Sequence, residues 1–513
     1  MAKFFAAALV LLTGCVKDLD VKPNDPFVLT SDDVYAAEGS YKSALAKIYA
    51  GFILTGSQGG TGNPDLLGLD EGFTCFVRSL WSLNELTTDE AVWSYPNDAN
   101  GTIFNLHNHS WTATDGIPQA LYARILNVAA IANEFLRVTG GKKDEADIKM
   151  FRAEARFLRA LAYYYGMDLF KTLPFVTEAD KPGAHYAPPA RNREQLYAFI
   201  ESELLAVKPD MGAPRFEYGR ADKAVCAMLL AKLYLNSEVY VGKAKYTETL
   251  AQLKEVIEGG YELSPAYLRL FSADNDSNNK EIIFAQTCDG ASSRSFGMPW
   301  IMIYGNAGNG GWAGLRTTSA FVRKFDDRPN EARALFAKED KKQSLEIEAQ
   351  NSAAQGYGVY KYRNEKFKGP VPASASGGFN DTDYVMFRLA DAYLMYAEAV
   401  LRGGSGGDMN TALKYVNAIR TRSEDVANAP GPITQAQLTT DFILDERARE
   451  LYWEGHRRMD LIRFKKFTSG YNWPWKGGLK NGQENTGAHR AFFPIPASDI
   501  ATNPNLTQHP EYK

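Results

Sequence analysis

Residues 149–170 read KMFRAEARFLRALAYYYGMDLF, and this stretch decides the fold class. Its apolar residues Phe151, Ala155, Leu158 and Ala162 recur at spacings of four and three. That period places them on one stripe of an α-helix, while the three arginines of the stretch lie together on another face. The pattern predicts an amphipathic helix that turns a single stripe toward a core.

Comparable patterns predict further helices at residues 118–138, 194–207, 221–240, 245–258, 383–402, 409–422 and 441–464. Four of these helices form two consecutive pairs, and a short turn joins the members of each pair. Antiparallel helical pairs of roughly 35–40 residues are the unit of tetratricopeptide-type arrays. The sequence therefore predicts a mainly α fold, in which tetratricopeptide-like hairpins form a superhelical scaffold.

Three long stretches interrupt the helical pattern, at about residues 55–111, 274–316 and 356–383. They have little helical period, and the first two are rich in Gly, Asn, Asp and aromatic residues. Loops this long inside a compact protein are usually functional. We therefore expect residues 34–513 to form a single domain, in which a helical scaffold carries large, irregular, ligand-binding insertions.

The N-terminus has the features of an exported lipoprotein. Lys3 precedes an apolar run at residues 4–12, which ends in Leu12-Thr13-Gly14-Cys15. Such a run is typical of a secretory signal, and it is too short to cross a bilayer, which takes roughly 20 apolar residues. The last four residues are typical of a bacterial lipobox. They predict a signal peptide at residues 1–14, a lipid on Cys15 and an extended tether over residues 15–33.

Composition and motifs argue against a nucleic-acid-binding protein and against an enzyme with a common catalytic motif. The net charge is −4, without the basic stripe of a nucleic-acid binder, so we expect no nucleic-acid partner. The sequence has no HExxH, GxSxG or GxxxxGK[ST] motif. Beyond Cys15, the three cysteines are too few and too widely spaced to indicate a disulfide framework or a zinc site. His107 and His109 form a pair, but no carboxylate or cysteine partner is signalled nearby.

A glycosidase needs only two carboxylates, so close pairs of acids are candidates for catalysis. The pairs considered are Asp89 with Glu90 and Asp391 with Glu398. Arg388 lies three residues before Asp391, and Glu398 lies four residues before an arginine, so local ion pairs are expected to keep both acids ionised. An acid held ionised in this way is a poor proton donor. We predict that the chain is not an enzyme and requires no cofactor.

The segment 445–463 is also dense in charge. Asp445 with Arg449, and Glu454 with Arg458, are spaced by four residues and can pair along one helix face. The spacing predicts an ionic face that is solvated or lies between helices.

Six motifs follow one another along the chain: FRAEARFLRA at 151–160, GRADKA at 219–224, RLADAYLMYAEA at 388–399, ERAREL at 446–451, GHRRMDLIR at 455–463 and FPIP at 493–496. As an ordered set they resemble the motifs of the SusD/RagB family of Bacteroidetes outer-membrane lipoproteins. Acidic residues directly after Cys15 resemble the surface-export signal of the same group.

The resemblance implies a helical fold with four tetratricopeptide-like pairs and an outer-membrane location, anchored by lipid. It also implies a partner, a SusC-like TonB-dependent barrel over which the protein acts as a lid and into which it delivers oligosaccharide. Members of the RagB branch handle peptides, so peptide capture stays open as an alternative. A surface glycosidase or protease on a repeat scaffold is the alternative from another class.

Two insertions have the composition of a sugar site, in which aromatic platforms lie beside amides and carboxylates. In the SusD/RagB family, aromatic residues of the corresponding loops form the platform. Here the loops are matched to those of the family as regions and not residue by residue. The predicted ligand-binding residues are Trp93, Tyr95, Asn97 and Asp98 in the first insertion and Trp300, Tyr304, Asn306, Trp312 and Arg316 in the second.

Alternating oxygen-bearing residues also indicate a candidate calcium site. Asp274, Asp276 and Asn278 are spaced like the first ligands of a calcium loop, although the glycine and the distant glutamate of an EF-hand are missing. The alternative is an Asx-rich turn before the strand-like run Ile282-Ile283-Phe284.

Overall fold

The computed structural model describes residue 35 and residues 39–56, 64–142, 144–180, 186–306, 311–328, 330–336, 344–372, 378–422 and 428–512. The predicted signal peptide, the lipid on Cys15 and the tether lie outside these residues. Among the described residues, no helix is both long and apolar enough to cross a membrane.

Helices dominate the structure, as the sequence predicts. They are α1 (Ser40–Ala50), α2 (Phe76–Glu85), α3 (Ile103–His107), α4 (Gly116–Val138), α5 (Ala146–Phe170), α6 (Arg193–Val207), α7 (Lys223–Leu235), α8 (Ser237–Val241), α9 (Tyr246–Ile257), α10 (Trp300–Tyr304), α11 (Ser319–Val322), α12 (Leu389–Leu401), α13 (Met409–Thr421), α14 (Thr440–Leu451), α15 (Arg457–Arg463) and α16 (Ala497–Thr502).

Short antiparallel strand pairs join distant parts of the chain. The strands are β1 (Val92–Trp93), β2 (Leu173–Pro174), β3 (Ala190–Arg191), β4 (Ile282–Gln286), β5 (Leu315–Arg316) and β6 (Tyr384–Arg388). They form three two-stranded ladders, β1 with β5, β2 with β3, and β4 with β6.

Helix α5 confirms the helix predicted from residues 149–170 and begins three residues earlier, at Ala146. Within the predicted stripe, Ala155, Leu158 and Ala162 are wholly inaccessible to solvent and Phe151 is half-buried. The prediction of a single buried stripe is wrong, because from residue 153 onward every residue except Arg156 is buried. The helix packs against α4 on one side and α6 on the other. Its arginine face does not point to open water, because Arg156 and Arg159 both pair with Glu203 of α6.

The predicted helical pairs are also present. Helix α7 packs against α9, α9 packs against α12, and α12 packs against α13, so consecutive hairpins lie side by side. Asp222, in the GRADKA motif, caps α7 by accepting hydrogen bonds from the backbone amides of Ala224 and Val225, 2.8 and 3.0 Å away. The mainly α fold class is therefore confirmed.

Three local predictions are wrong. Residues 384–388 form strand β6 instead of the start of a helix, because all five residues are buried and a short apolar run has no diagnostic period. The helix predicted over residues 441–464 is two helices, since Trp453 and Gly455 have left-handed φ angles of 61° and 80°. The insertion at 55–111 contains helix α2, whose apolar residues Phe76, Leu80 and Leu83 recur at helical spacing over only ten residues, a window too short to stand out in an irregular stretch.

A network of buried ion pairs ties the C-terminal helices to β4 and β6. The guanidinium of Arg388 lies 2.9 Å from the carboxylate of Glu281 and 2.7 Å from that of Glu450. It also lies 2.7 Å from the carboxylate of Glu454, which binds Lys361 at 2.6 Å. Burial opposes the charge of Arg388, but Glu454 and Glu450 outweigh burial and raise the pKa of Arg388 well above its usual value.

Most partners in this network are distant in sequence. Asp391 pairs with Lys232 at 2.6 Å and with Arg447 at 2.8 Å, so the predicted local pair with Arg388 is wrong. The predicted pair of Glu398 with Arg402 is confirmed at 2.8 Å.

In the segment 445–463 the pairs predicted at a spacing of four are likewise replaced. The observed partners are Lys324 for Asp445, Glu446 for Arg449, Arg388 and Lys361 for Glu454, and Asp168 for Arg458. Residue spacing within a helix predicts only pairs between neighbours on that helix. Buried charged residues pair instead with residues that the tertiary fold places beside them, which can be distant in sequence.

We expect the variant Arg388→Met to lose about 3–5 kcal/mol of unfolding free energy, because the buried carboxylates of Glu281, Glu450 and Glu454 lose a counter-charge that they share and the hydrogen bonds it donates. Urea unfolding measures the loss. Lys254→Ala is the control, since its pair with Glu258 is 3.9 Å long and about two-thirds exposed, and we expect a change within about 0.5 kcal/mol. Equal stability of the two variants would contradict the structural role of the network.

Candidate functional site

A cleft of about 440 Å³ lies where the first and second insertions meet. Its walls are Asp70, Glu71, Gly72, Phe73, Arg78, Trp93, Asp98, Ala99, Phe296, Trp300 and Trp312. Four of the nine residues predicted to bind ligand are among them: Trp93, Asp98, Trp300 and Trp312.

The ladder between β1 and β5 brings the two insertions together. Val92 pairs with Arg316 and Trp93 with Leu315, and the amide of Ser94 donates to the carbonyl of Gly314 at 2.8 Å. The hydroxyl of Tyr95, on the first insertion, donates to the backbone carbonyl of Trp312 on the second. These bonds fix the position of both loops relative to each other.

Two tryptophan rings form a corner in the cleft. The rings of Trp300 and Trp312 lie 4.9 Å apart at 67°. The indole nitrogen of Trp300 donates to the carbonyl of Gly378 at 2.7 Å, which holds this ring in place. Trp312 is 49% exposed, an unusual fraction for so large an apolar side chain. The corner is therefore an aromatic surface open to a ligand.

Polar groups stand beside these rings. Asp98 accepts a hydrogen bond of 2.7 Å from the indole nitrogen of Trp93 through one carboxylate oxygen. Arg78 lies 4.4 Å from the centre of the Phe73 ring and donates to the carbonyl of Phe296 at 3.0 Å. Burial lowers the pKa of Arg78, and the nearby carboxylate of Asp70 opposes that shift. The cleft thus combines apolar faces with strong hydrogen-bond donors and acceptors.

Sequence reasoning missed Asp70, Glu71, Phe73, Arg78 and Phe296. One signal was present, because Arg78 is the only charged residue in the helix start Phe76–Leu80. Gly72 is a second feature of this wall, since a Cβ atom there would lie 2.3 Å from an amine of Arg78. A larger residue at position 72 would displace the guanidinium.

Two predicted ligand-binding residues are interior residues, so their assignment is corrected. Asn306 is wholly buried, and its amide donates to the carbonyl of Val359 and accepts from the amide of the same residue at 3.0 Å. Arg316 is 1% exposed and donates to the carbonyls of Ala313 and Gly356, both at 3.0 Å. Both side chains satisfy backbone groups of the loop and do not line the cleft.

The other three predicted residues lie around the cleft. Tyr95 supports Trp312 from behind through its hydroxyl. Asn97 is exposed and begins the turn that carries Asp98. Tyr304, at the end of α10, lines a neighbouring hollow instead.

The acid pair Asp89 and Glu90 is buried and supports the loop that leads to Trp93. Asp89 is held by Arg457 at 2.7 and 2.9 Å and by the hydroxyl of Tyr471 at 2.8 Å. Burial favours the neutral acid, but Arg457, Lys324 and the Tyr471 hydroxyl together outweigh burial and lower the pKa of Asp89. Glu90 accepts from the backbone amide of Trp453 at 3.1 Å. Neither acid lines the cleft, so their geometry suits support and not proton transfer to a ligand.

The histidine pair is engaged with protein oxygen atoms. The two ring nitrogens of His107 lie 3.2 and 2.9 Å from the carbonyls of Leu86 and Pro474. Those of His109 lie 2.9 and 2.8 Å from the Thr486 hydroxyl and the Thr87 carbonyl. Within the described residues, no group of three or more His, Cys, Asp or Glu side chains is placed to hold a metal.

The candidate calcium residues are arranged as a turn. Asp274 accepts from the amide of Phe367 at 2.7 Å, while Asp276 and Asn278 are exposed. The run Ile282–Gln286 that follows is strand β4, as expected. Calcium binding at this turn stays a prediction.

Comparison with known proteins decides the family. The chain is 33% identical to the starch-binding protein SusD of Bacteroides thetaiotaomicron, over 100% of this chain and 99% of that one. The chain belongs to the SusD family. The model of that family matches residues 341–512, which include β6 and helices α12 to α16.

Solved structures of the SusD family share the fold. The surface glycan-binding protein A from Bacteroides uniformis aligns with a TM-score of 0.70 at 20% identity, over 93% of this chain and 100% of that one. A laminarin-binding SusD-like protein aligns with a TM-score of 0.67 at 21% identity, over 93% and 99%.

The structure also explains why the motifs shared with the SusD family are rich in charge. Glu154 of FRAEARFLRA pairs with Arg220 of GRADKA, and Asp391 of RLADAYLMYAEA pairs with Arg447 of ERAREL. Each of these contacts crosses from one motif to another, so the motifs fit together as partners.

We expect Glu90→Gln to become more stable relative to the wild type as the pH rises from about 4.5 to about 7. Burial raises the pKa of Glu90 from 4.5 to about 7, so the folded protein retains this proton to a higher pH than the unfolded chain. The stability that this proton contributes is lost as the pH rises through that window, and glutamine does not titrate. Urea unfolding at pH 5 and pH 8 measures the difference, and an identical difference at both values would contradict the buried, neutral acid.

Proposed function

We propose that this protein captures oligosaccharides in the cleft and delivers them to a SusC-like TonB-dependent transporter in the outer membrane. The observation that carries the proposal is the open corner of Trp300 and Trp312, with Arg78 and Asp98 beside it. Sugar rings have apolar C–H faces and a rim of hydroxyls. The corner offers rings to the faces, and the charged groups offer donors and acceptors to the rim.

The relatives support carbohydrate as the ligand class. The relative at 33% identity over the full chain is named for starch binding, and two proteins of the same fold are named for binding laminarin and surface glycans. Starch fragments are therefore the first ligands to test. Binding of a peptide in place of starch fragments, as in the RagB branch, would favour the competing proposal of peptide capture.

Capture without catalysis fits the position of the acids. The candidate catalytic acids Asp89 and Glu90 are buried against the α14–α15 turn. The other candidates, Asp391 and Glu398, are held by buried cations. Delivery to a transporter is inferred from the family resemblance. Anchoring through Cys15 is inferred from the lipobox.

We expect Trp312→Ala to weaken the binding of maltoheptaose about tenfold or more, because it removes the exposed half of the aromatic corner; tenfold corresponds to about 1.4 kcal/mol. Calorimetry measures the dissociation constant. Phe216→Ala is the matched control, since Phe216 is 47% exposed and lies outside the cleft. Unchanged affinity in Trp312→Ala, or release of reducing ends by the wild type, would contradict the proposal.

We expect Cys15→Ala to move the protein from the outer-membrane fraction to the soluble fraction, because the lipid on Cys15 is the proposed anchor. Fractionation of the native host followed by immunoblotting checks this result. Retention of Cys15→Ala in the membrane would show that another contact holds the protein there. Co-purification of the wild type with a TonB-dependent barrel tests the transporter partnership.

A further inference from the structure

A second hollow, of about 420 Å³, lies at the far end of helix α10 from the cleft. Among the residues that line it are Tyr304, Tyr360, Arg363 and Glu365. The two cavities share a wall. Trp300 begins the helix and faces the cleft, whereas Tyr304 ends it and faces the hollow.

The aromatic surface continues from one cavity to the other. The ring of Trp300 lies 4.9 Å from that of Trp312 and 5.6 Å from that of Tyr304. One short segment also binds a lining residue of each cavity, because the carbonyl of Gly378 accepts from Trp300 and the carbonyl of Phe379 accepts from Asn364. A ligand that rests on Trp312 and Trp300 can therefore extend over Tyr304 without leaving an aromatic surface.

The hollow contains polar groups that the fold does not use. Arg363 is half-buried and makes one side-chain hydrogen bond, from an amine to the carbonyl of Tyr360 at 3.2 Å. Its Nε is buried and has no hydrogen-bond partner, and Arg363 forms no salt bridge within the described part of the chain. The guanidinium has more N–H donors than this one bond uses, and the side chain is partly exposed, so a ligand hydroxyl can accept a hydrogen bond from it.

The backbone that carries this arginine is fixed. The amide of Arg363 donates to the carbonyl of Phe271 at 3.1 Å, and its carbonyl accepts from the hydroxyl of Thr382 at 2.7 Å. The neighbouring Asn364 accepts from the amide of Asp381 at 3.0 Å. The hollow is therefore a preorganised feature of the surface.

We propose that this hollow is a second sugar subsite, which binds further units of a neutral oligosaccharide whose first units occupy the cleft; the inference rests on the proposed function. Arg363 supplies donors and Glu365 supplies acceptors to the hydroxyls of the ligand, beside the ring of Tyr304. The opposite charges of Arg363 and Glu365 offset each other in the hollow, which suits a neutral sugar better than a charged one.

Calorimetry with two maltooligosaccharides of different length tests the subsite. We expect the wild type to bind maltoheptaose more tightly than maltotriose. In Arg363→Gln we expect the dissociation constant of maltoheptaose to rise about tenfold, which corresponds to one lost charge-assisted hydrogen bond, with that of maltotriose unchanged. The side chain of Glu365 is exposed and makes no hydrogen bond with the residues that the structure describes. We expect Glu365→Gln to weaken maltoheptaose selectively as well, with a smaller effect. This variant provides the test if Arg363→Gln does not fold.

Arg269→Gln is the matched control. Arg269 is also half-buried, donates one hydrogen bond to a backbone carbonyl, that of Ser277, at 2.8 Å, and has a buried Nε without a partner. It lines neither cavity. We expect this variant to bind both ligands like the wild type.

The outcomes separate the two proposals. If Trp312→Ala weakens both ligands while Arg363→Gln and Glu365→Gln change neither, the cleft stands and the second subsite is overturned. Equal wild-type affinity for the two ligands, or equal losses in Arg363→Gln and Arg269→Gln, overturns it as well. If the wild type binds neither maltooligosaccharide, starch capture itself is contradicted, and the subsite falls with it.

Discussion

Arg388 lies in the interior of the protein among the carboxylates of Glu281, Glu450 and Glu454, and this contact constrains much of the fold. Taking ions out of water costs several kcal/mol each, and the attraction between them offsets that cost only in an accurate geometry. Strand β4, strand β6 and helix α14 must therefore meet in one arrangement. Removing Arg388 leaves its three buried carboxylates with fewer counter-charges, so the network favours this one arrangement of the elements.

The ligand cleft depends on this rigid region through the loop that follows α2. Asp89 binds Arg457 of α15, and Glu90 binds the backbone of Trp453 at the turn between α14 and α15. A few residues later the same loop forms β1, which pairs with β5 and positions Trp93 near Trp312. Asp89 and Glu90, which are candidates for catalysis from the sequence, thus hold a binding surface in place. Preorganisation of this kind spares a ligand the cost of ordering the loops.

Sequence alone predicted the scaffold well and the site in part. The helix through Leu158 is visible because its apolar residues recur at the helical period, and aromatic loops around Trp93 and Trp312 are visible because such residues are unusual in irregular chain. The role of Arg78 was missed because an arginine near a helix start looks the same in sequence whether it faces solvent or a ligand cleft. The interior position of Asn306 was missed because an amide that binds a ligand and one that binds the backbone look alike in sequence. Partners such as Lys232 for Asp391 depend on the tertiary fold, which spacing does not encode.

A rigid, ion-paired helical scaffold should present its sugar-binding corner already formed, and a crystal structure of the protein with bound maltoheptaose would show whether it does. We expect sugar rings against Trp312 and Trp300, hydroxyls within hydrogen-bond distance of Arg78 and Asp98, and unchanged contacts around Arg388. Sugar bound away from these residues, or a rearranged set of ion pairs around Arg388, would contradict this expectation.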